Sequence, residues 1–157
     1  MTPAVRLLKK QKVNFTLHQY QHDANASSYG EEAAEKLSIN ASQVFKTLVV
    51  SCDGDESSLA VAVVPVTHQL NLKMLAKALN VKKVKMAEAK RVETSTGYVL
   101  GGVSPVGQKK ALKTVIDNSA ESYTTIYVSG GKRGLEIELS AQDLANSTQA
   151  KMANIKS

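Results

Sequence analysis

The run Val44-Phe45-Lys46-Thr47-Leu48-Val49-Val50 carries apolar residues on both alternating faces, interrupted by one lysine. Side chains on a strand alternate with period two, so Lys46 shares a face with Val44, Leu48 and Val50. A strand apolar on both faces predicts a central position in a sheet. Phe45–Ser51, the turn Asp53-Gly54-Asp55 and Ser58–Val64 predict a β-hairpin that Pro65 ends. Thr124–Ser129 and Leu135–Leu139 alternate in the same way around Gly130-Gly131-Lys132-Arg133-Gly134 and predict a second hairpin. Val13–Tyr20 reads as a strand. Gly97–Leu100 reads as another, running into a glycine-rich turn, and Lys109–Val115 fits neither period.

Helical spacing appears elsewhere. Thr2-Pro3 is a cap followed by a first-turn proline, with Ala4, Leu7 and Leu8 as the apolar stripe. Glu31 and Glu32 suit a helix N-terminus whose buried side is Ala33, Ala34 and Leu37. Leu72, Leu75, Ala76 and Leu79 mark an amphipathic helix, and Ala87–Arg91 a shorter one. Ser140-Ala141-Gln142-Asp143 has the form of a capping box opening a last helix, with a polar tail from about Asn146 expected to fray. These elements predict one domain over residues 1–157. Its class is α/β of the α+β type: a mixed, mostly antiparallel sheet or partial barrel with surrounding helices.

Composition narrows the function. The 157 residues are enough to bury roughly 68–70% of the unfolded surface without a disulfide or metal staple. Aromatics are 4% with no tryptophan, which disfavours a stacking platform for single-stranded nucleic acid. A single cysteine, Cys52, fits a reducing compartment, and the N-terminus lacks an apolar signal core, so a cytoplasmic protein with no membrane partner is expected. The net charge of +6 favours a polyanionic partner such as tRNA, although the basic residues lie in small groups.

Candidate chemistry is sparse. His18 and His22 are spaced i, i+4 at a strand-to-loop junction rather than on a helix, and neither His68 nor Cys52 adds ligand spacing, so no metal or cofactor is expected. Cys52, at a strand end, reads as a small buried residue rather than a nucleophile. Gly97, Gly101, Gly102 and Gly107 match no phosphate-loop pattern and can be tight turns. Within them, Gly101-Gly102-Val103-Ser104-Pro105 allows backbone N–H groups to approach a ligand closely, as an oxyanion hole or phosphate grip requires. Lys46, on its own segment, reads better as a strand-end lysine reaching water than as a buried functional group.

Several segments in order carry a resemblance. They are Met1-Thr2-Pro3-Ala4, Tyr20, Phe45-Lys46-Thr47-Leu48, Ser95-Thr96-Gly97-Tyr98-Val99-Leu100-Gly101-Gly102-Val103-Ser104-Pro105-Val106-Gly107 and Tyr127-Val128-Ser129-Gly130-Gly131-Lys132-Arg133-Gly134. Together they resemble the YbaK family of prolyl-tRNA editing proteins from Thr2 to about Leu144. The resemblance implies a deacylase that clears cysteine wrongly attached to proline tRNA, acting in company with prolyl-tRNA synthetase. It also implies that the substrate's own thiol is the nucleophile, which accounts for the scarcity of catalytic groups. On this resemblance Lys46 is a functional residue at the ester carbonyl or a nearby phosphate, and Gly101 lends its N–H to the oxyanion. Ser129 and Tyr20 line the pocket, Tyr98, Gly102, Ser104 and Gly130 join them in binding substrate, and Lys132, Arg133, Lys109 and Lys110 contact tRNA. Two alternatives stay open: an editing hydrolase for other small aminoacyl-tRNAs such as Ala-tRNA, and a non-catalytic tRNA- or nucleotide-binding module.

Overall fold

The computed structural model describes residues 1–26 and 28–157. Helix α1 (Pro3–Lys10) leads into β1 (Thr16–Gln19) and α2 (Tyr29–Lys36). The predicted first hairpin is β2 (Phe45–Cys52) and β3 (Asp55–Pro65), followed by α3 (Leu72–Leu79), β4 (Val84–Met86) and α4 (Ala89–Thr96). Strand β5 (Lys113–Asp117) precedes the second hairpin, β6 (Ile126–Ser129) and β7 (Leu135–Leu139), and the chain closes with α5 (Ala141–Thr148) and β8 (Lys151–Ala153).

These strands make two sheets. One has the order β1-β7-β6 and is antiparallel; the other has the order β4-β2-β3-β5-β8. In the second, β2 pairs antiparallel with β3 and β4, while β3–β5 and β5–β8 are parallel. Parallel neighbours need a long crossover, and the stretch holding α3, β4 and α4 supplies it between β3 and β5. A single parallel bridge, Val44 to Tyr127, stitches the sheets together, so the mixed and mostly antiparallel expectation holds without a closed barrel.

The period-two pattern explains the layering. Val61 and Val63 of β3 face Leu8, Ile116, Ile126 and Ile137 in one core, whereas Ala60, Ala62 and Val64 face Leu75, Leu79 and Ile155 in a second. The strand is therefore covered on both faces. Helix α1 starts where expected: the Thr2 hydroxyl accepts from Val5 N–H at 3.3 Å, and Ala4, Val5 and Leu8 are buried. Ser140 caps α5 by accepting from Asp143 N–H. Among the described residues no helix is long and apolar enough to cross a membrane.

Two expectations are corrected, and two short strands carry no sequence signal. Gly97 does not open a strand; it ends α4 in the left-handed region at φ +80°, and residues 98–112 contain no regular element. β4 and β8 are each three residues long, too short for a periodic signal. The tail beyond Asn146 does not fray: β8 pairs with β5, and Ile155 is fully buried. Its anchor is Asp117, whose Oδ1 accepts from Ile155 N–H at 2.9 Å and Lys156 N–H at 3.1 Å. Burial pushes that carboxyl up, but its hydrogen bonds from Ser119, Ile155 and Lys156 outweigh burial and hold it below its ordinary value.

Candidate active site

A cleft of about 430 Å³ opens where the two sheets meet. Its walls are the start of β2 (Phe45, Lys46, Thr47, Leu48), the start of α2 (Tyr29, Gly30, Glu31) and the loop Leu100, Gly101 and Val103. Tyr20, Ser129 and Glu136, from the polar side of the three-stranded sheet, complete it with Lys132 and Arg133. The volume lies within the ordinary range for small-molecule sites.

Lys46 stands opposite Val64 in the β2–β3 ladder, half-buried, and lines this cleft. Burial lowers its pKa and Glu31 pulls it back up. The first turn of α2 thus places a carboxylate where it favours the ammonium form. Gly101 sits at φ +91°, and a Cβ there would come within 2.7 Å of the Tyr29 ring, so only glycine lets the loop close on that wall. Gly102 N–H is used, donating to Val99 C=O at 2.9 Å. Among the described residues Gly101 N–H has no such partner, and Gly101 lines the cleft.

Tyr20 is half-buried and its phenol is pushed up to about 12, first by burial and then by Glu136 and Glu32, so it stays neutral. Ser129 Oγ accepts from Gly131 N–H at 3.1 Å, which leaves its hydroxyl proton to donate elsewhere. Lys132 is exposed at the rim. Arg133 is committed to the protein: its Nη2 donates to Asp23 C=O at 2.6 Å and to Ala26 C=O at 3.2 Å, and lies 3.7 Å from Glu32 Oε1. Its guanidinium also stacks 4.0 Å from the Tyr29 ring centre. Through Nη2 it ties the segment before α2 to the cleft wall.

Four residues expected to bind substrate lie behind the wall. Tyr98 is buried and donates its hydroxyl to Val106 C=O at 2.6 Å; burial pushes that phenol up to about 12. Ser104 is fully buried, and its Oγ accepts from Val106 N–H at 3.2 Å. A Cβ on Gly102 would meet Lys132 Cα at 2.8 Å, and one on Gly130 would meet the Leu135 side chain at 2.7 Å. These residues let the two glycine-rich segments dovetail, so their motif signal is packing. Lys109 and Lys110 are exposed but sit away from the cleft, where their N–H groups bond Thr96 and Ser95 carbonyls at 2.9 and 3.0 Å.

Pattern reading missed Glu136. It is 7% exposed, lines the cleft, and burial pushes its carboxyl up to about 8. The register pairs it with Ser129 on β6 and His18 on β1, so it shares their face. That register was the available signal: a hairpin that puts Ser129 in a site puts Glu136 there too. Thr47 Oγ1, also at the cleft, is buried without a partner. Among the described residues no group of three His, Cys, Asp or Glu side chains is placed to hold a metal.

Known proteins share this chain's sequence pattern and fold. Residues 23–146 match the family described as the aminoacyl-tRNA editing domain. The Enterococcus faecalis protein named "Putative Cys-tRNA(Pro)/Cys-tRNA(Cys) deacylase EbsC" is 39% identical over 154 residues, covering 98% of this chain and 92% of that protein. A proline–tRNA ligase of Geobacter metallireducens is 32% identical over 108 residues, which is 69% of this chain but only 18% of the ligase. A solved structure described as "a putative trans-editing enzyme for prolyl tRNA synthetase" has a TM-score of 0.82 at 20% identity, covers 100% of this chain and 99% of that one, and so shares the fold. The chain belongs to the aminoacyl-tRNA editing domain family, the YbaK-type proteins, whose chemistry is deacylation.

Proposed function

We propose that this protein is a trans-editing deacylase that clears Cys-tRNA(Pro). One observation carries the reading: the half-buried Lys46 ammonium and the unused Gly101 N–H line one cleft that contains no Cys or His among the described residues. Such a site offers positive charge and a hydrogen-bond donor to an ester but no activated protein nucleophile. The cysteinyl ester brings its own. Its sulfur attacks the ester carbonyl carbon and the C–O bond to the terminal ribose breaks. The thiol proton ends on the leaving ribose oxygen, and the products are a cyclic thiolactone and free tRNA.

The residues then have defined tasks. Gly101 N–H donates to the carbonyl oxygen as it gains charge, and such a donor contributes ~3–4 kcal/mol. Lys46 favours the same charge or a neighbouring phosphate, a role that requires the cation Glu31 helps maintain. Tyr20 and Ser129 hydrogen-bond the ribose or aminoacyl portion. Confinement of thiol and carbonyl supplies proximity, worth up to ~7–11 kcal/mol in well-oriented systems.

The partner is proline tRNA, in a ternary complex with prolyl-tRNA synthetase. A synthetase pocket rejects a side chain of similar volume by only ~10–200-fold, so a second sieve is needed. The similarity to part of a proline–tRNA ligase supports that pairing. The test presents Cys-, Ala- and Pro-charged proline tRNA and follows ester loss. Rapid loss of the cysteinyl ester with the prolyl ester spared is expected. Equal cleavage of the alanyl ester contradicts thiol attack, and binding without turnover of any ester overturns the enzyme.

A further inference from the structure

The buried carboxyl groups other than Glu136 among the described residues each accept at least one backbone N–H, although Glu32 Oε1 has no hydrogen bond and only Arg133 at 3.7 Å. Asp117 accepts backbone N–H groups from Ser119, Ile155 and Lys156, and Glu32 accepts from Asp23 N–H at 2.6 Å. Glu136 has neither a hydrogen bond nor an ion pair among the described residues, although it is buried and lines the cleft. A buried carboxyl is costly unless it is paired or neutralised. Among the described residues none of the cleft's three cations forms an ion pair with Glu136: Lys46 is on β2 beside Glu31, Lys132 is exposed at the rim, and Arg133 bonds the Asp23 and Ala26 carbonyls.

An aminoacyl ester supplies the missing partner. Its α-nitrogen is two bonds from the carbonyl carbon, so an ester whose oxygen faces Gly101 carries an amine into the same small cleft. We infer that Glu136 receives the α-amino group of the aminoacyl ester, and that the cleft therefore accepts only esters with a free amine. This rests on the aminoacyl-tRNA reading above. Support comes from proton affinity. A carboxyl held near 8 and an amine that titrates at about 7.7–8.0 can share one proton, so the pair enters the buried site with no net charge. The consequence is a filter that deacylation alone does not require. An N-blocked aminoacyl-tRNA, including peptidyl-tRNA, presents an amide nitrogen that can donate one hydrogen bond but cannot take up a proton, so Glu136 loses its ionic partner. Sites that lose a charged partner for a buried group in this way discriminate strongly.

The experiment compares Cys-tRNA(Pro) with N-acetyl-Cys-tRNA(Pro) on the wild type and on Glu136→Gln. A binding arm uses 3′-cysteinylamino-3′-deoxyadenosine and its N-acetyl form, which carry an amide in place of the ester. The wild type should prefer the free amine by about 100-fold in kcat/KM, and in affinity for the two analogues. Glu136→Gln should shrink that preference to about threefold by losing the free-amine substrate rather than by gaining the blocked one. Equal treatment of both substrates by the wild type overturns the inference, as does a preference that survives Glu136→Gln. If no ester is cleaved but the binding preference appears and depends on Glu136, the deacylase reading fails and the amine site stands. Thermal melting of Glu136→Gln reports its folding independently of either arm.

Discussion

Glu136 and Glu138 stand two residues apart on one face of β7, yet their chemistry diverges. At the outer end of the three-stranded sheet, Glu138 accepts from Thr125 and bonds His18 at 2.9 Å, and Thr125 followed by His18 outweighs burial to hold its carboxyl below the ordinary value. At the inner end Glu136 has no partner, and burial pushes it up to about 8. The outer acid completes a structural cluster that includes the His18 and Tyr127 rings, 5.4 Å apart. The inner one faces a cleft. One strand thus carries a finished polar contact and an unfinished one, and the unfinished one marks the site.

The largest effect expected from breaking this contrast lies across the cleft at Lys46. Lys46→Ala should lower deacylation on the order of 10³-fold, about 4 kcal/mol of transition-state stabilisation. Circular dichroism should remain that of the wild type, because half-buried Lys46 fills no core position. His18→Ala should leave kcat within about threefold, since the His18 ring is bonded to Glu138 and does not line the cleft. Comparable loss from both substitutions would erase the distinction between the two ends of the sheet.

Stability against pH should separate the two acids next. The folded state holds the Glu136 proton from the ordinary carboxylate value of 4.5 up to about 8, so raising pH through that window removes stability. Relative to Glu136→Gln, the wild type should lose roughly 3 kcal/mol between pH 5 and pH 8, read from denaturant midpoints. Glu138 has the opposite sign. Its carboxyl is held low, so its contribution is present above the ordinary value and fades as pH falls through the lowered one. Glu138→Gln should cost roughly 1 kcal/mol at pH 7 and almost nothing at pH 3. Parallel pH curves for the two variants would show that burial does not distinguish these carboxyls.

Pattern reading located the strand holding Lys46, both hairpins, and the caps at Thr2 and Ser140, because each rests on local periodicity or a local hydrogen bond. It missed Glu136 for a physical reason. Alternation within Leu135–Leu139 assigns the glutamates to one face, and a polar face is taken for the solvent side. The cleft that Glu136 lines is walled by α2 and the Gly101 loop, both of which precede it in sequence by more than thirty residues. Tyr98 and Ser104 are the opposite case: the motif places them among substrate contacts, and in the structure both are buried with their hydroxyls bonded to Val106. The tail was similarly opaque, since Ile155 and its tie to Asp117 join segments 38 residues apart.

Lys132 and Arg133 repeat the contrast between free and committed groups on adjacent residues, with the smallest expected effect. Both are candidates for tRNA contact; Arg133 Nη2 bonds the Asp23 and Ala26 carbonyls while Lys132 is exposed at the rim. A phosphate contact releases about one counterion, so Lys132→Ala should reduce the slope of log affinity against log salt by about 1 and weaken tRNA binding only a few-fold at physiological salt. Arg133→Lys should leave that slope unchanged. It should instead raise KM through a looser Tyr29 wall, because a lysine cannot reproduce a planar fork that bonds two carbonyls and stacks on a ring. A shallower slope in Arg133→Lys with none in Lys132→Ala would reverse these assignments and put the guanidinium on the tRNA backbone.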